Sequence, residues 1–244
     1  MAESLSRRDL LRGAASLSAA AGLSPVAAAA PALPRRMADA GLCWDGQSTY
    51  VPSLSIFGAG EGTKWFGLRR CCFMFHPNTA LAMDKLREME EVVCEISKWE
   101  CATVEIAGLQ GAPAVQHRHD GRIERKRREA ETVSQLSLKY PNITGAIDDD
   151  LYGKIAAEHI SPDQYAAVRR DLRSANPKLK HWGVVYSHEL KKENWSGFTD
   201  LLDVVTLWIW ASKDLVNLDR YVEQCWAIFR ASLSISAAIC ATTP

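Results

Sequence analysis

Trp182-Gly183-Val184-Val185-Tyr186 and Val204-Val205-Thr206-Leu207-Trp208-Ile209 decide the fold. Each run is short, rich in β-branched and aromatic residues, and apolar on both faces. A strand with one wet face alternates polar with apolar. A strand covered by helices on both faces does not, and it belongs to a parallel sheet. Working outward, further candidate strands are Cys71–His76, Val92–Ser97, Thr103–Ala107 and Ile143–Asp148, with an earlier one within Val51–Phe57. Helical patterns separate most of them, over Leu81–Val92, Arg122–Tyr140, Ser161 to Pro177 and Leu215–Phe229. Ser161-Pro162-Asp163-Gln164 is the best-marked start, with Ser161 as cap, Pro162 at the first helical position and Gln164 completing a capping box. Strands alternating with helices predict an α/β fold. No G-x-G-x-x-G or phosphate loop follows any strand, which favours a (β/α)8 barrel over an open nucleotide-binding sheet.

The N-terminus is of another kind. Ser6-Arg7-Arg8-Asp9-Leu10-Leu11-Arg12 precedes an Ala-rich run from Gly13 to Ala30, and small residues at 27–32 offer cleavage points. This is the layout of a twin-arginine signal, with the Tat translocase as partner and a periplasmic or secreted destination. Cys43 follows Leu42, so no lipoprotein acceptor is read. No later stretch reaches about 18 unbroken apolar residues, so no membrane span is expected in the mature chain. The expected organisation is a signal peptide over 1–32, a linker or entry segment over 33–50, a barrel domain over 51–229 and an irregular tail over 230–244.

Charge excludes some partners. The chain has 29 basic and 29 acidic residues. A neutral chain gives no reason to expect nucleic acid. The basic run Arg122–Arg128 contains Glu124 and reads as a solvated helix face. Of seven cysteines, none forms a C-x-x-C pair, so neither a disulfide framework nor a zinc cage is expected, although single pairs stay open in an oxidising compartment. No cofactor motif is visible and no cofactor is expected.

In a barrel, chemistry sits at the carboxyl ends of the strands. There Ile143-Thr-Gly-Ala-Ile147 runs into Asp148-Asp149-Asp150. Alternation is read as placing Thr144, Ala146, Asp148 and Asp150 toward the mouth, and Ile143 and Ile147 toward the helices. The next strand ends Tyr186-Ser187-His188-Glu189. The one after presents Thr206, Trp208 and Trp210 on one face. Upstream lie His76, Asn78 and Glu95. Facing carboxylates with aromatic platforms fit glycoside hydrolysis. Asp148, Asp150 and Glu189 are the catalytic candidates. His76, Glu95, Tyr186, His188, Trp208 and Trp210 are the candidate carbohydrate-binding residues. A non-catalytic carbohydrate-binding or envelope-associated protein is the rival reading. His117-Arg118-His119 could bind metal as an H-x-H pair, but no third ligand can be assigned; a surface loop is the plainer reading, and no metal is assigned. His159 and His181 read as incidental. No G-x-S-x-G is present.

Phe73-Met-Phe-His-Pro-Asn78, Val93-Cys-Glu-Ile-Ser-Lys-Trp99, Asn142-Ile-Thr-Gly-Ala-Ile-Asp-Asp-Asp150, Ser161-Pro-Asp163 and Asp203-Val-Val-Thr-Leu-Trp-Ile-Trp210 resemble a poorly characterised family of exported bacterial (β/α)8-barrel proteins, distantly similar to glycoside hydrolases. The resemblance runs from about Phe73 to Phe229. It implies a barrel and carries no reaction; by analogy of fold alone it favours a hydrolase.

The end of the chain departs from the pattern. Arg230 to Pro244 is small, polar-speckled and without strand or helix logic. Codons exist for this stretch that, with one C restored near codon 230, read Phe-Pro-Gly-Lys-Pro-Leu-Tyr-Leu-Gly-Cys-Tyr-Leu-Arg-Asp-Tyr-Pro, a loop and a strand. A single-base deletion in the gene or in its sequence record is therefore expected; in the first case the chain would be a truncated copy, unstable or inactive. The length agrees, since about 212 mature residues fall short of the roughly 250 of a full barrel.

Overall fold

A computed structural model of the chain describes residues 41–45, 58–97, 99–105, 113–119, 121–229 and 234–242, with the backbone alone for 99–105, 113–119 and 234–242. Its elements in chain order are β1 (Cys43–Trp44), α1 (Ala59–Trp65), β2 (Arg70–Phe73), α2 (Ala80–Lys85), β3 (Glu91–Glu95), β4 (Trp99–Glu105), β5 (Pro113–His119), α3 (Ile123–Lys139), β6 (Ile143–Asp148), α4 (Leu151–Ala157), α5 (Pro162–Leu172), β7 (Lys180–Tyr186), β8 (Val204–Ala211), α6 (Leu218–Phe229) and β9 (Ser234–Thr242), with short 3-10 turns between β7 and α6.

One seven-stranded sheet runs β1-β2-β3-β6-β7-β8-β9. Every neighbouring pair in it is parallel. The α/β expectation therefore holds, and the sheet curls as a half-barrel. It is open among the described residues, with β1 and β9 at its edges. A closed eight-stranded ring is not seen. The expected strand within Val51–Phe57 lies outside the described residues, as does the expected signal over 1–32.

Several elements differ from expectation. The strand placed at Thr103–Ala107 belongs to β4, which pairs antiparallel with β5 in a separate ribbon and contributes nothing to the large sheet. The segment containing His117 and His119 is strand β5 rather than a loop. The helix expected over Leu81–Val92 is only α2, started by Thr79 Oγ1 accepting from the Ala82 amide; from Glu91 the chain is already extended. The expected linker contains β1, and the expected irregular tail contains β9. The reason is the same at both ends. An uncovered strand exposes a row of unpaired amides and carbonyls, and small residues such as those of Ser234–Thr242 do not oppose extended pairing. The helices α3, α5 and α6 stand where the periodicity put them, and the α5 capping box is present, Gln164 N donating to Ser161 Oγ at 3.2 Å and Ser161 N to Gln164 Oε1 at 2.8 Å. No helix among the described residues is long and apolar enough to cross a membrane.

Two apolar layers flank the sheet. Cys71, Phe73, Val92, Cys94, Ala146, Val185, Val205 and Leu207 pack outward against the helices. Cys72, Met74, Val93, Ile147, Trp182, Val184 and Val204 pack inward, joined by Trp44, Tyr186 and Trp208. Each such buried side chain contributes roughly 1.5–3 kcal/mol. Trp44 and Trp208 meet edge to face across the concave side, ring centroids 4.7 Å apart.

Candidate active site at the carboxyl ends of the strands

The decisive residue pair is Asp148 with Lys126. Both are fully buried, and Lys126 Nζ binds Asp148 Oδ1. Lys126 lies on the inward stripe of α3 with Ala130 and Val133. Tyr165 of α5 donates its hydroxyl proton to Asp148 Oδ2 at 2.9 Å. The Tyr165 oxygen is also 3.1 Å from His181 Nε2. Tyrosine has one proton, so Nε2–H must donate to the Tyr165 oxygen. Burial pushes His181 down to about 4, so the ring is neutral. His181 N–H in turn donates to Asp203 Oδ2 at 2.8 Å. Arg169 and Arg173 clamp Asp203 at 2.6 and 2.7 Å. Burial works against the Asp203 charge, but the His181 amide and the two guanidiniums outweigh it and hold the carboxyl below its usual range.

This network is on the helix side of the sheet. Asp148 therefore does not point into the mouth, and the face assignment is reversed for the second half of β6: Ile147 joins the inner layer and Ala146 the outer one, whereas Ile143 is on the helix side as expected, the register shifting between Val92 and Val93 of the neighbouring strand. The run is apolar on both faces, so alternation alone carries no sign. The buried cation on α3 and the hydroxyl on α5 supply it. Lys126 is also no part of a solvated face, and His181 is not incidental. A lysine in phase with the apolar stripe of α3 was the available sequence signal.

The inner face presents other carboxylates. Glu95 is fully buried; its Oε2 accepts from the Phe75 amide, and its Oε1 from Ser97 Oγ at 3.2 Å. Ser97 Oγ accepts from the Asp149 amide at 2.8 Å. Asp149 is raised well above the carboxylate range by burial, then by the charges of Asp150 and Glu95. Asp150 Oδ1 accepts from the Tyr186 hydroxyl at 2.8 Å. Burial raises the Tyr186 phenol, with Asp149 and Asp150 adding to it. Glu189 Oε2 accepts from the Tyr186 amide at 2.9 Å, and burial pushes its carboxyl up to about 7. Trp195 Nε1 and Asn194 Nδ2 hold the Glu189 carbonyl at 3.0 and 3.1 Å.

Two strand ends carry left-handed backbone on residues with side chains, Phe75 at φ 65° after β2 and Asp150 at φ 49° after β6. Such conformations gather where a strand end is re-aimed for function. The remaining candidates line the rim. His188 is exposed and stacks on Tyr186 at 5.5 Å; Trp210 meets Tyr186 edge-on at 6.0 Å. Trp208 is half-buried, its Nε1 donating to Thr206 Oγ1 at 3.3 Å. His76 is exposed, its ring 5.9 Å from that of Phe73. Thus Glu95, Asp150, Tyr186, His188, Glu189, Trp208 and Trp210 face the concave side, while Asp148 is withdrawn from it. Asp149, which the reading of the sequence passed over, takes its place. No group of three metal-binding side chains occurs among the described residues.

No family model and no curated relative matches the chain. Among solved structures, a candidate phosphonomutase from Burkholderia cenocepacia J2315 aligns with a TM-score of 0.36 and 11% identity, over 82% of this chain and 86% of that one. With Asp148 tied to Lys126 and Tyr165 behind the sheet, the glycosidase expectation loses its central carboxylate. It is withdrawn together with its carbohydrate-binding alternative.

Proposed function

We propose that the chain is an acid–base enzyme of the α/β-barrel class that moves a proton on a small neutral or cationic substrate. The observation that supports this best is Glu189. It is a buried carboxyl at the end of β7, held by the Tyr186 amide, with its protonation poised near neutral pH. A group that gives and takes a proton is most effective when its pKa lies near working pH. Asp150 and Tyr186 orient the neighbouring wall through their hydrogen bond, and burial, with the charges of Asp150 and Glu95 adding to it, raises the Asp149 carboxyl well above its usual range. The carboxyl groups of Glu95, Asp150 and Glu189 in one mouth disfavour anions. Closure of the half-barrel into a full (β/α)8 ring, and delivery by the twin-arginine route through Arg7 and Arg8, belong to the same proposal; the succession of arginine pair, apolar run and small-residue cleavage points in the sequence of residues 1–32 supports the second.

The test is solvent exchange. The protein is incubated in D2O with a panel of small neutral and cationic carbonyl compounds, and deuterium entry at carbon is followed by mass spectrometry. Exchange that disappears in Glu189→Gln supports the reading. Exchange that survives the substitution, or its absence across the panel, overturns it.

A further inference from the structure

Cys43 of β1 and Cys71 of β2 stand directly opposite each other in the parallel register. Both side chains are on the helix side: Cys71 belongs to the outer layer and Cys43 packs against it. Neighbouring strands lie about 4.8 Å apart. That falls inside the roughly 4.4–6.8 Å between Cα atoms that a disulfide requires. The other described thiols are placed differently. Cys72 faces the concave side, and Cys94 lies two register steps beyond the partner of Cys71, its thiol 3.9 Å from Met83 Sδ. Cys225 is buried on α6.

The two thiols also differ in access. Cys43 is half-buried and reachable, whereas Cys71 is sealed. Burial, with Cys43 and Asp45 adding, pushes the Cys71 thiol up to about 12. Cys43 is therefore the sulfur that meets an external disulfide, and Cys71 the one that resolves it.

We propose that Cys43 and Cys71 are a disulfide-forming pair that ties the two-residue edge strand β1 to β2. With oxidised glutathione as the donor, the Cys43 thiolate attacks one glutathione sulfur and expels the other as a thiolate. The Cys71 sulfur then attacks Cys43 in the mixed disulfide and expels the second glutathione. The two protein thiols lose two protons and two electrons, and the donor becomes two glutathione thiols. The consequence reaches the concave side, because Trp44 follows Cys43 and packs on Trp208. Pinning β1 holds that wall of the mouth in place.

The experiment uses the full chain, equilibrated with reduced or oxidised glutathione and mapped by mass spectrometry without reduction. The expected result is a peptide containing Cys43 joined to one containing Cys71. Closing a loop of about 29 residues should raise Tm by roughly 7–14 °C. Cys43→Ser should abolish both effects. Cys71→Ala should leave Cys43 carrying a single glutathione, a readout that does not depend on the stability of the variant. Full alkylation of both cysteines after oxidation, a link from Cys43 to a different cysteine, or a link with no change in Tm would overturn the proposal.

Discussion

Asp148 and Asp149 are consecutive in the chain and serve opposite faces of the sheet. Asp148 is tied to Lys126 and Tyr165 under the helices, whereas Asp149 is turned to the concave side beside Glu95 and Asp150. The first is charged and matched by a buried cation. The second is buried beside Asp150 and Glu95, and burial followed by those two charges raises its carboxyl well above the usual range.

Removing Lys126 alone should be severe. Lys126→Met leaves the Asp148 charge buried without its partner, and the loss should be about 3–5 kcal/mol in urea unfolding. Lys126→Met with Asp148→Leu should recover most of that loss, because an apolar pair of similar size needs no compensation there. A double variant as unstable as the single one would mean that the ion pair is not what holds α3 on the sheet.

Tyr165→Phe should destabilise by about 1–3 kcal/mol. The substitution keeps the ring and its packing but takes the donor from Asp148 and the acceptor from His181 Nε2. The loss should not be additive with Asp148→Leu, since both remove the same hydrogen bond. Thermal unfolding of the two single variants and the double variant measures this.

Glu189 and His181 should give opposite pH dependences. The Glu189 carboxyl rises from 4.5 to about 7 on folding. The folded state therefore holds the proton more tightly, and this group's contribution is full below 4.5 and is lost as pH rises to about 7. His181 falls from 6.5 to about 4. The unfolded state is then the one that takes the proton, and this contribution is full above 6.5 and is lost as pH falls toward 4. In the parent protein the two partly cancel. Glu189→Gln should remove the decline between pH 4.5 and 7, steepening the net rise of stability with pH. Chemical denaturation at pH 4.5, 5.5, 6.5 and 7.5 reads both slopes. Identical profiles for parent and variant would show that Glu189 has no raised pKa in solution.

Gly145→Ala should cost about 3 kcal/mol or more. A Cβ on Gly145 would stand 2.4 Å from the Lys180 carbonyl oxygen and 2.9 Å from Trp182 Nε1. The nearer atom is backbone in the neighbouring strand, so relief requires β6 and β7 to part. Gly153→Ala is the control, since its added Cβ would meet nothing within 4 Å.

The elements that the sequence made legible are those whose signal is local. Ile143–Asp148 was read residue for residue, and the Ser161–Gln164 capping box named the start of α5, because strand propensity and cap chemistry act over a few residues. The site was only partly legible. Glu95, Asp150, Tyr186, Glu189, Trp208 and Trp210 stand out in the sequence as polar and aromatic ends of strands, and they are grouped on the concave side. Lys126, Tyr165 and His181 were not, because each is isolated in the sequence and acquires meaning only from a partner 16 to 22 residues away.

What the amino-acid sequence determined by itself was the class of fold: runs apolar on both faces, alternating with amphipathic helices, have few places to go but a parallel sheet covered by helices. What only the tertiary structure decided was the phase of β6, the pairing of β4 with β5 outside the main sheet, and the recruitment of β1 and β9 to its edges. The physical reason is that a strand greasy on both sides satisfies either orientation equally, and backbone pairing is blind to side-chain identity. The choice falls to interactions that exist only once helices and strands are brought together, foremost the buried Lys126 waiting for a carboxylate.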